Sequence, residues 1–338
     1  MDAVLFGFQR VVLPVEIVGG IFINILAFCV WTFGTKSKQL PCSAYFATLS
    51  LTDTLLLAFP GVILIIYVFD VTMLPNETVF CKVMSFSAYF LLHCSSWIVA
   101  AISVDRSLTI LFPFTFRAQE VGRRCKKTLT ALFTILTLTH IPRLYFIESH
   151  SSTFVGCVVN ADFVKFEEIY SLVLDTVLCM VLPFIIIIVS NIAMTTVLFK
   201  RKMQTSNRSS SSQQNMKVLT QLVLGTGLSF VLANSMWIFF KAAEFAELTI
   251  TQGDTGLALF SIANILVYLN SFVNPILYCI MMKATRDDMW SATQVIARGC
   301  RRYGSHGDHD VTGSQNNAGD SEDQGTSTFT LNDIKPSP

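Results

Sequence analysis

Charge is what this chain has least of. Of its 338 residues only 14% are Asp, Glu, Lys or Arg, and 24 basic against 23 acidic side chains leave a formal net charge of +1. No nucleic-acid partner is implied, because phosphate backbones are bound by concentrated basic surfaces. A nucleophile–base pair or a metal-ligand cluster at usable spacing is also missing, so the chain is not expected to be an enzyme. Nor is there an inverted repeat, or a pair of broken apolar segments of the kind from which transporters build sites. No positively charged leader or cleavage site precedes the apolar run at 17–35, which is expected to act as an uncleaved signal anchor.

Apolar residues, by contrast, make up 52% of the chain, and its mean hydropathy is +0.55. Uncharged stretches recur at 17–35, 83–104, 128–142, 176–199, 218–240 and 255–282, and another at 40–69 is interrupted only by Asp53. A membrane-crossing helix needs about 20 predominantly apolar residues. Seven such segments in series predict an all-α membrane protein, a seven-transmembrane helix bundle spanning 12–282.

The basic residues set its orientation. With residues 1–11 as a short extracellular N-terminus, Lys36, Lys38, Arg117, Arg123, Arg124, Lys126, Lys127, Lys200, Arg201, Lys202, Arg208 and Lys217 fall on the cytoplasmic side. The outer side receives only Arg10, Lys82, Arg143, Lys165 and Lys241. That asymmetry is the positive-inside pattern. Residues 202–215, rich in Ser, Asn and Gln, read as a flexible inner loop. Within 283–298, Met289, Val295 and Ile296, with Trp290 beside Met289, fit either a short amphipathic eighth helix on the inner leaflet or a helical extension. Residues 299–338 have the composition of a disordered cytoplasmic tail.

Cys81 and Cys157 fall outside or at the outer margin, where an oxidising exterior permits a disulfide. The other cysteines are mostly in spans or at the inner face, where apolar packing is expected. Cys300, beside Arg298, Arg301 and Arg302, is a weak candidate for palmitoylation. Asn76-Glu-Thr is an outward-facing glycosylation sequon.

Asp53 is the strongest functional pointer, since an acid in hydrocarbon is costly without a partner or water. Asn24, Ser95, Asn270, Ser271 and Asn274 are its expected partners, with Asn270 and Asn274 on one helix face. The alternative is a purely structural polar knot. Pro275 frees a carbonyl in the seventh span and allows its inner half to bend. At about 1.5 Å per residue, the helix from Cys81 to Arg106 covers about 37 Å, which puts Arg106 at the inner surface. There it either snorkels or, with Asp105, awaits a cytoplasmic partner.

Asn24, Leu49-Ser-Leu-Thr-Asp53, Cys81, Asp105-Arg106-Ser107, Pro183 and Asn274-Pro-Ile-Leu-Tyr278 resemble, in order and spacing, the rhodopsin-like G protein-coupled receptors over about 12–296. The resemblance implies an outer Cys81–Cys157 disulfide. It also implies a sodium ion bound among Asp53, Ser95, Asn270, Ser271 and Asn274, with no other metal and no cofactor. It gives Asp105, Arg106 and Tyr278 roles in activation and coupling to a heterotrimeric G protein at the plasma membrane, and makes the tail a candidate arrestin-binding segment. Departures from the pattern are Ser107 for tyrosine, Asn191 for the fifth-span tyrosine, Asn234 for the sixth-span tryptophan and Met236 for its proline. The fourth span lacks its tryptophan, and Met216 offers Arg106 no acidic partner.

Tyr268 at the position of the retinal lysine argues against a photoreceptor, and Ala88 at that of the amine-binding aspartate against an amine ligand. By the same resemblance the outer pocket is lined by Tyr89, Leu92, His93, Asp175, Trp237, Ile238, Lys241, Phe260 and Asn264, with Lys241, Glu244 and Arg143 towards its mouth. His93 stands alone and is expected to be hydrogen-bonded rather than a metal ligand. A charged mouth resembles that of neuropeptide receptors, especially invertebrate receptors for short amidated peptides, so the expected ligand is an extracellular peptide. The alternatives are a lipid or small organic ligand, or a non-signalling decoy.

Overall fold

The computed structural model describes residues 2–40, 42–69, 78–116, 120–149, 157–204 and 211–294. Seven spans cross in series: Phe8–Phe33, Ser43–Ile66, Thr78–Leu111, Val121–Phe146, Ala161–Lys200, Thr220–Phe245 and Thr255–Met281. They are called the first to seventh spans below. Large apolar side chains such as Phe22, Leu138, Ile192 and Leu232 are between 62% and 64% exposed on the outer surface of the bundle. Water would penalise that surface and hydrocarbon would not. Inside, Trp31, Tyr45, Phe46, Leu49, Ile98, Phe230 and Tyr278 belong to one core to which the fourth span adds Cys125 and Leu129.

The third span carries the architecture. Its helix, Thr78–Leu111, is unbroken by Pro or Gly and packs on the second, fourth, fifth and sixth spans. Two other spans change pitch near a proline. Pro60 lies inside a π-helical turn at Leu57–Gly61, and a longer one at Ser171–Val181 precedes Pro183. A proline donates no backbone hydrogen bond, and widening the preceding turn accommodates that loss. The seventh-span helix, Gly253–Met281, contains Pro275.

Above the third span lies a two-stranded antiparallel sheet, Ile147–Ser149 with Cys157–Val159, in the register Ile147↔Val159. A disulfide from Cys81 to Cys157 ties it to the outer end of that span. Cys81, Phe146 and Ile147 are buried together where the sheet meets the span.

Some boundaries differ from those read in the sequence. The first helix begins at Asp2, so residues expected as an extracellular N-terminus are largely helical. The helix ending the fifth span runs to Gln204 and the next begins at Ser211, which shortens the inner loop expected at 202–215. A short helix over 283–294 follows the seventh span, burying Met289 against Leu26 and Val30 while Trp290 stays exposed. Its Asp288 accepts hydrogen bonds from the backbone N–H of Lys36 (3.0 Å) and Ser37 (2.8 Å) and from the Thr35 hydroxyl (3.1 Å). Asn76, Val295, Ile296, Cys300 and the tail lie outside the described residues.

Candidate ligand and coupling sites

The Asp53 carboxylate is fully buried among neutral donors from two other spans. Its Oδ1 accepts from the hydroxyls of Ser95 (2.7 Å) and Ser271 (3.1 Å), and its Oδ2 from the Asn274 amide (3.0 Å). Asn24 and Asn270 do not join directly. The Asn24 amide donates to the carbonyls of Gly20 and Ser271, each at 2.9 Å, and so braces the first span against the seventh. Asn270 turns its Oδ1 towards the Ser229 hydroxyl of the sixth span, 3.5 Å away. Residues four apart share a face only approximately, since four steps overshoot one 3.6-residue turn. Oδ1 of Asn24 and Oδ1 of Asn274 are buried without a hydrogen-bond partner among the described residues. The Asp53 carboxylate, the two serine hydroxyls and the unused Asn274 oxygen are the groups that could hold a monovalent cation.

At the inner end, Arg106 is only 1% exposed, which corrects the expectation of a side chain at a wet margin. Its Nη2 donates to Asp105 Oδ2 at 2.7 Å, while Nε and Nη1 have no hydrogen-bond partner among the described residues. Asp105 is shared: Nε of Arg124, from the inner start of the fourth span, donates to its other oxygen at 3.0 Å. Asp105 thus sits between two guanidinium groups. Tyr278 is packed edge-on to Trp31 and Phe46, with ring centroids 5.7 and 5.0 Å away. Its hydroxyl is buried without a hydrogen-bond partner among the described residues.

The expected outer pocket divides in two. Between the third, fourth and fifth spans, Arg143 forms a buried ion pair with Asp175 and lies 3.5 Å from the ring centroid of Tyr89. At 1% exposure Arg143 is not at the mouth, which corrects its expected placement. It opens the short helix Arg143–Phe146, and the carboxylate of Asp175 and the face of Tyr89 draw its guanidinium inward. His93 is not alone. Its Nδ1 lies 2.7 Å from Nε2 of His140, whose Nδ1 faces the Leu136 carbonyl at 2.7 Å. His140 is invisible in the sequence because it is an uncharged residue in an apolar run; only the cross-span contact identifies it.

Between the sixth and seventh spans, Trp237 and Phe240 each pack on Phe260 with centroids 5.7 Å apart. Lys241 lies 5.8 Å from the Trp237 centroid and pairs with Glu244 at 2.7 Å. The Asn264 amide donates to the Phe260 carbonyl at 2.9 Å, while Leu92 and Ile238 are half-buried. Asn234, at the expected position of a tryptophan, is buried and donates to the Phe230 carbonyl of its own helix. A separate cavity of 740 Å³ opens on the flank of the third, fourth and fifth spans, with Trp97, Ala101, Ile135 and Cys179 among its lining.

Seven apolar spans, a disulfide-tethered outer hairpin and a buried Asp-Arg pair at the inner end define a multi-pass receptor of the plasma membrane. The sequence pattern described as "7 transmembrane receptor (rhodopsin family)" matches residues 23–278, and the chain belongs to that family. It is therefore a G-protein-coupled signal transducer and not an enzyme. Among curated proteins it is similar to a purinoceptor of Rattus norvegicus, 24% identical over 80% of this chain and 74% of the relative. G-protein coupled receptor 65 of Homo sapiens is 23% identical over 82% of this chain and 83% of its own length. The N-arachidonyl glycine receptor of Homo sapiens is 26% identical over 44% of this chain and 45% of its own length.

Proposed function

We propose that this receptor responds to a small organic or lipid-like ligand rather than to a short amidated peptide. The carrying observation is the burial of Arg143 against Asp175 and Tyr89. It removes a charge from the mouth, and a charged mouth is the ground for expecting a peptide. What remains between the sixth and seventh spans is an apolar, aromatic surface of Trp237, Phe240 and Phe260, with Lys241 at one edge and the Asn264 amide at another. Such a surface suits a compact apolar body with one acceptor or anionic end. Two relatives' names, a purinoceptor and an N-arachidonyl glycine receptor, point the same way.

Signalling then depends on opening the inner end. Arg106 has two donors, Nε and Nη1, without a hydrogen-bond partner among the described residues, and a G protein segment entering between the spans would take them. A sodium ion held by Asp53, Ser95 and the unused Asn274 oxygen would favour the closed form. A ligand that opens the bundle would weaken that ion's hold, and sodium would weaken the ligand's in return.

The test is a paired screen of G protein activation, with acyl amino acids and nucleotides in one arm and amidated peptides in the other, at matched surface expression. Responses confined to the first arm, reduced by Trp237→Ala and lost in Arg106→Ala with surface expression retained, are the expected result. Responses confined to peptides would overturn the ligand reading. A bound ligand that never activates a G protein would overturn the coupling mechanism.

A further inference from the structure

His93, His140 and Cys179 come from the third, fourth and fifth spans, and their ligand atoms all lie within 4.8 Å of one another. All three side chains are buried. We propose that they form an intramembrane site for a zinc-like divalent cation, independent of any sodium at Asp53. Two neutral imidazoles and one thiolate are a ligand set that zinc accepts.

The surroundings support a metal site as well as a hydrogen-bonded pair. The Leu136 carbonyl can only accept, so Nδ1 of His140 carries the proton and Nε2 presents its lone pair towards His93. A metal-bound imidazole is commonly oriented this way, by donating its distal N–H to a backbone carbonyl. On the other side, Cys179 lies in the π-helical turn Ser171–Val181, four residues after Asp175. Asp175 and its partner Arg143 are both within electrostatic range of that sulfur, and Oδ1 of Asp175 has no hydrogen-bond partner among the described residues. Arg143 offsets the charge of Asp175, so the negative charge that meets the cation is that of the Cys179 thiolate itself.

The cation replaces the proton shared between His93 and His140, and His93 moves that proton from Nδ1 to its other ring nitrogen without changing charge. The Cys179 thiol ionises and releases one proton to solvent. Metal–nitrogen and metal–sulfur bonds form, no redox partner is needed, and the third, fourth and fifth spans become cross-linked.

The experiment uses the purified full chain in nanodiscs. Zinc titration should show one ion per receptor with release of one proton, read from calorimetry in buffers of different ionisation enthalpy. Cobalt(II) should give a thiolate-to-metal charge-transfer band, a signature that needs no variant. Cys179→Ala and His140→Phe should each weaken zinc binding by more than about 100-fold, beyond the usual cost of losing a supporting hydrogen bond to a ligand. Zinc should raise the melting temperature of the wild type and leave Cys179→Ala unmoved. Cobalt binding without the thiolate band, or zinc affinity unchanged in Cys179→Ala, would overturn the site and leave the histidines as a hydrogen-bonded pair.

Discussion

Two buried carboxylates in this bundle are held in opposite ways. Asp53 is surrounded by neutral donors, Ser95, Ser271 and Asn274, that satisfy its oxygens but leave its charge uncompensated. Asp175 is neutralised by Arg143 and keeps one oxygen, Oδ1, without a partner among the described residues. The first arrangement is the one proposed above to hold a mobile cation whose occupancy could change; the second is fixed by a covalently attached one. Asp53 also ties the second, third and seventh spans together, next to Pro275, where the seventh span can bend. Asp175 ties the fourth and fifth under the outer hairpin. The contrast sets a network proposed to switch against a strut that joins two spans at the outer end.

Breaking the strut should have the largest effect. Arg143→Gln leaves Asp175 buried beside no cation, and removing one partner of a buried pair costs about 3–5 kcal/mol. That is a large fraction of a typical folding free energy, so surface expression should fall steeply, along with the melting temperature of the purified protein. Replacing both partners, as Arg143→Met with Asp175→Leu, should recover most of the loss, because a hydrophobic pair can substitute for a buried ion pair. Failure of the double variant to recover would show that Arg143 acts mainly through Tyr89 and Tyr170, over whose rings it also lies.

Asp53→Asn should act on signalling more than on stability. The new amide would present an N–H to Asn274, which can rotate its side chain so that its unused Oδ1 accepts instead. The expected cost is about 1 kcal/mol, one ordinary hydrogen bond. Agonist affinity in the wild type should fall about fivefold or more as sodium replaces a bulky cation, at the lower end of usual site coupling. In Asp53→Asn that dependence should vanish. Equal sodium sensitivity of the two proteins in radioligand competition would reduce Asp53 to a second structural strut.

These two carboxylates are not equally legible in the sequence. Asp53 stands out because it is the one charge in the run 40–69, and the polarity and span depth of Ser95, Ser271 and Asn274 mark them as its partners. The Arg143–Asp175 pair has no such signal, although each residue is conspicuous by itself. They are 32 residues apart and the outer hairpin intervenes, so no helical periodicity relates them. Periodicity locates the spans but not their pitch. The π-helical turns at Leu57–Gly61 and Ser171–Val181 have only Pro60 and Pro183 as their sequence signal, and proline kinks some helices and ends others. Likewise nothing local to Arg124 shows that it shares Asp105 with Arg106, since that contact depends on how the fourth span docks on the third.

The smallest expected effect lies outside the membrane, where Asp288 supplies a third way of holding a carboxylate. Burial pushes its pKa up, but hydrogen bonds from Ser37, the Lys36 backbone and Thr35 outweigh that and hold it below the ordinary aspartate value. A carboxyl depressed in the folded state adds stability above its unfolded pKa and loses it as pH falls through the folded one. The melting temperature of the purified protein should therefore decline on acidification below the usual aspartate range, and Asp288→Asn should flatten part of that decline. At neutral pH the same substitution should cost about 1 kcal/mol, because Asn keeps one acceptor oxygen for the loop. Asp287→Asn is the control. Its partner Lys36 is 58% exposed, and ion pairs so open to water contribute little. If Asp287→Asn and Asp288→Asn shift melting equally at neutral pH, the loop contacts of Asp288 add nothing beyond surface charge, and only the two intramembrane carboxylates remain to be contrasted.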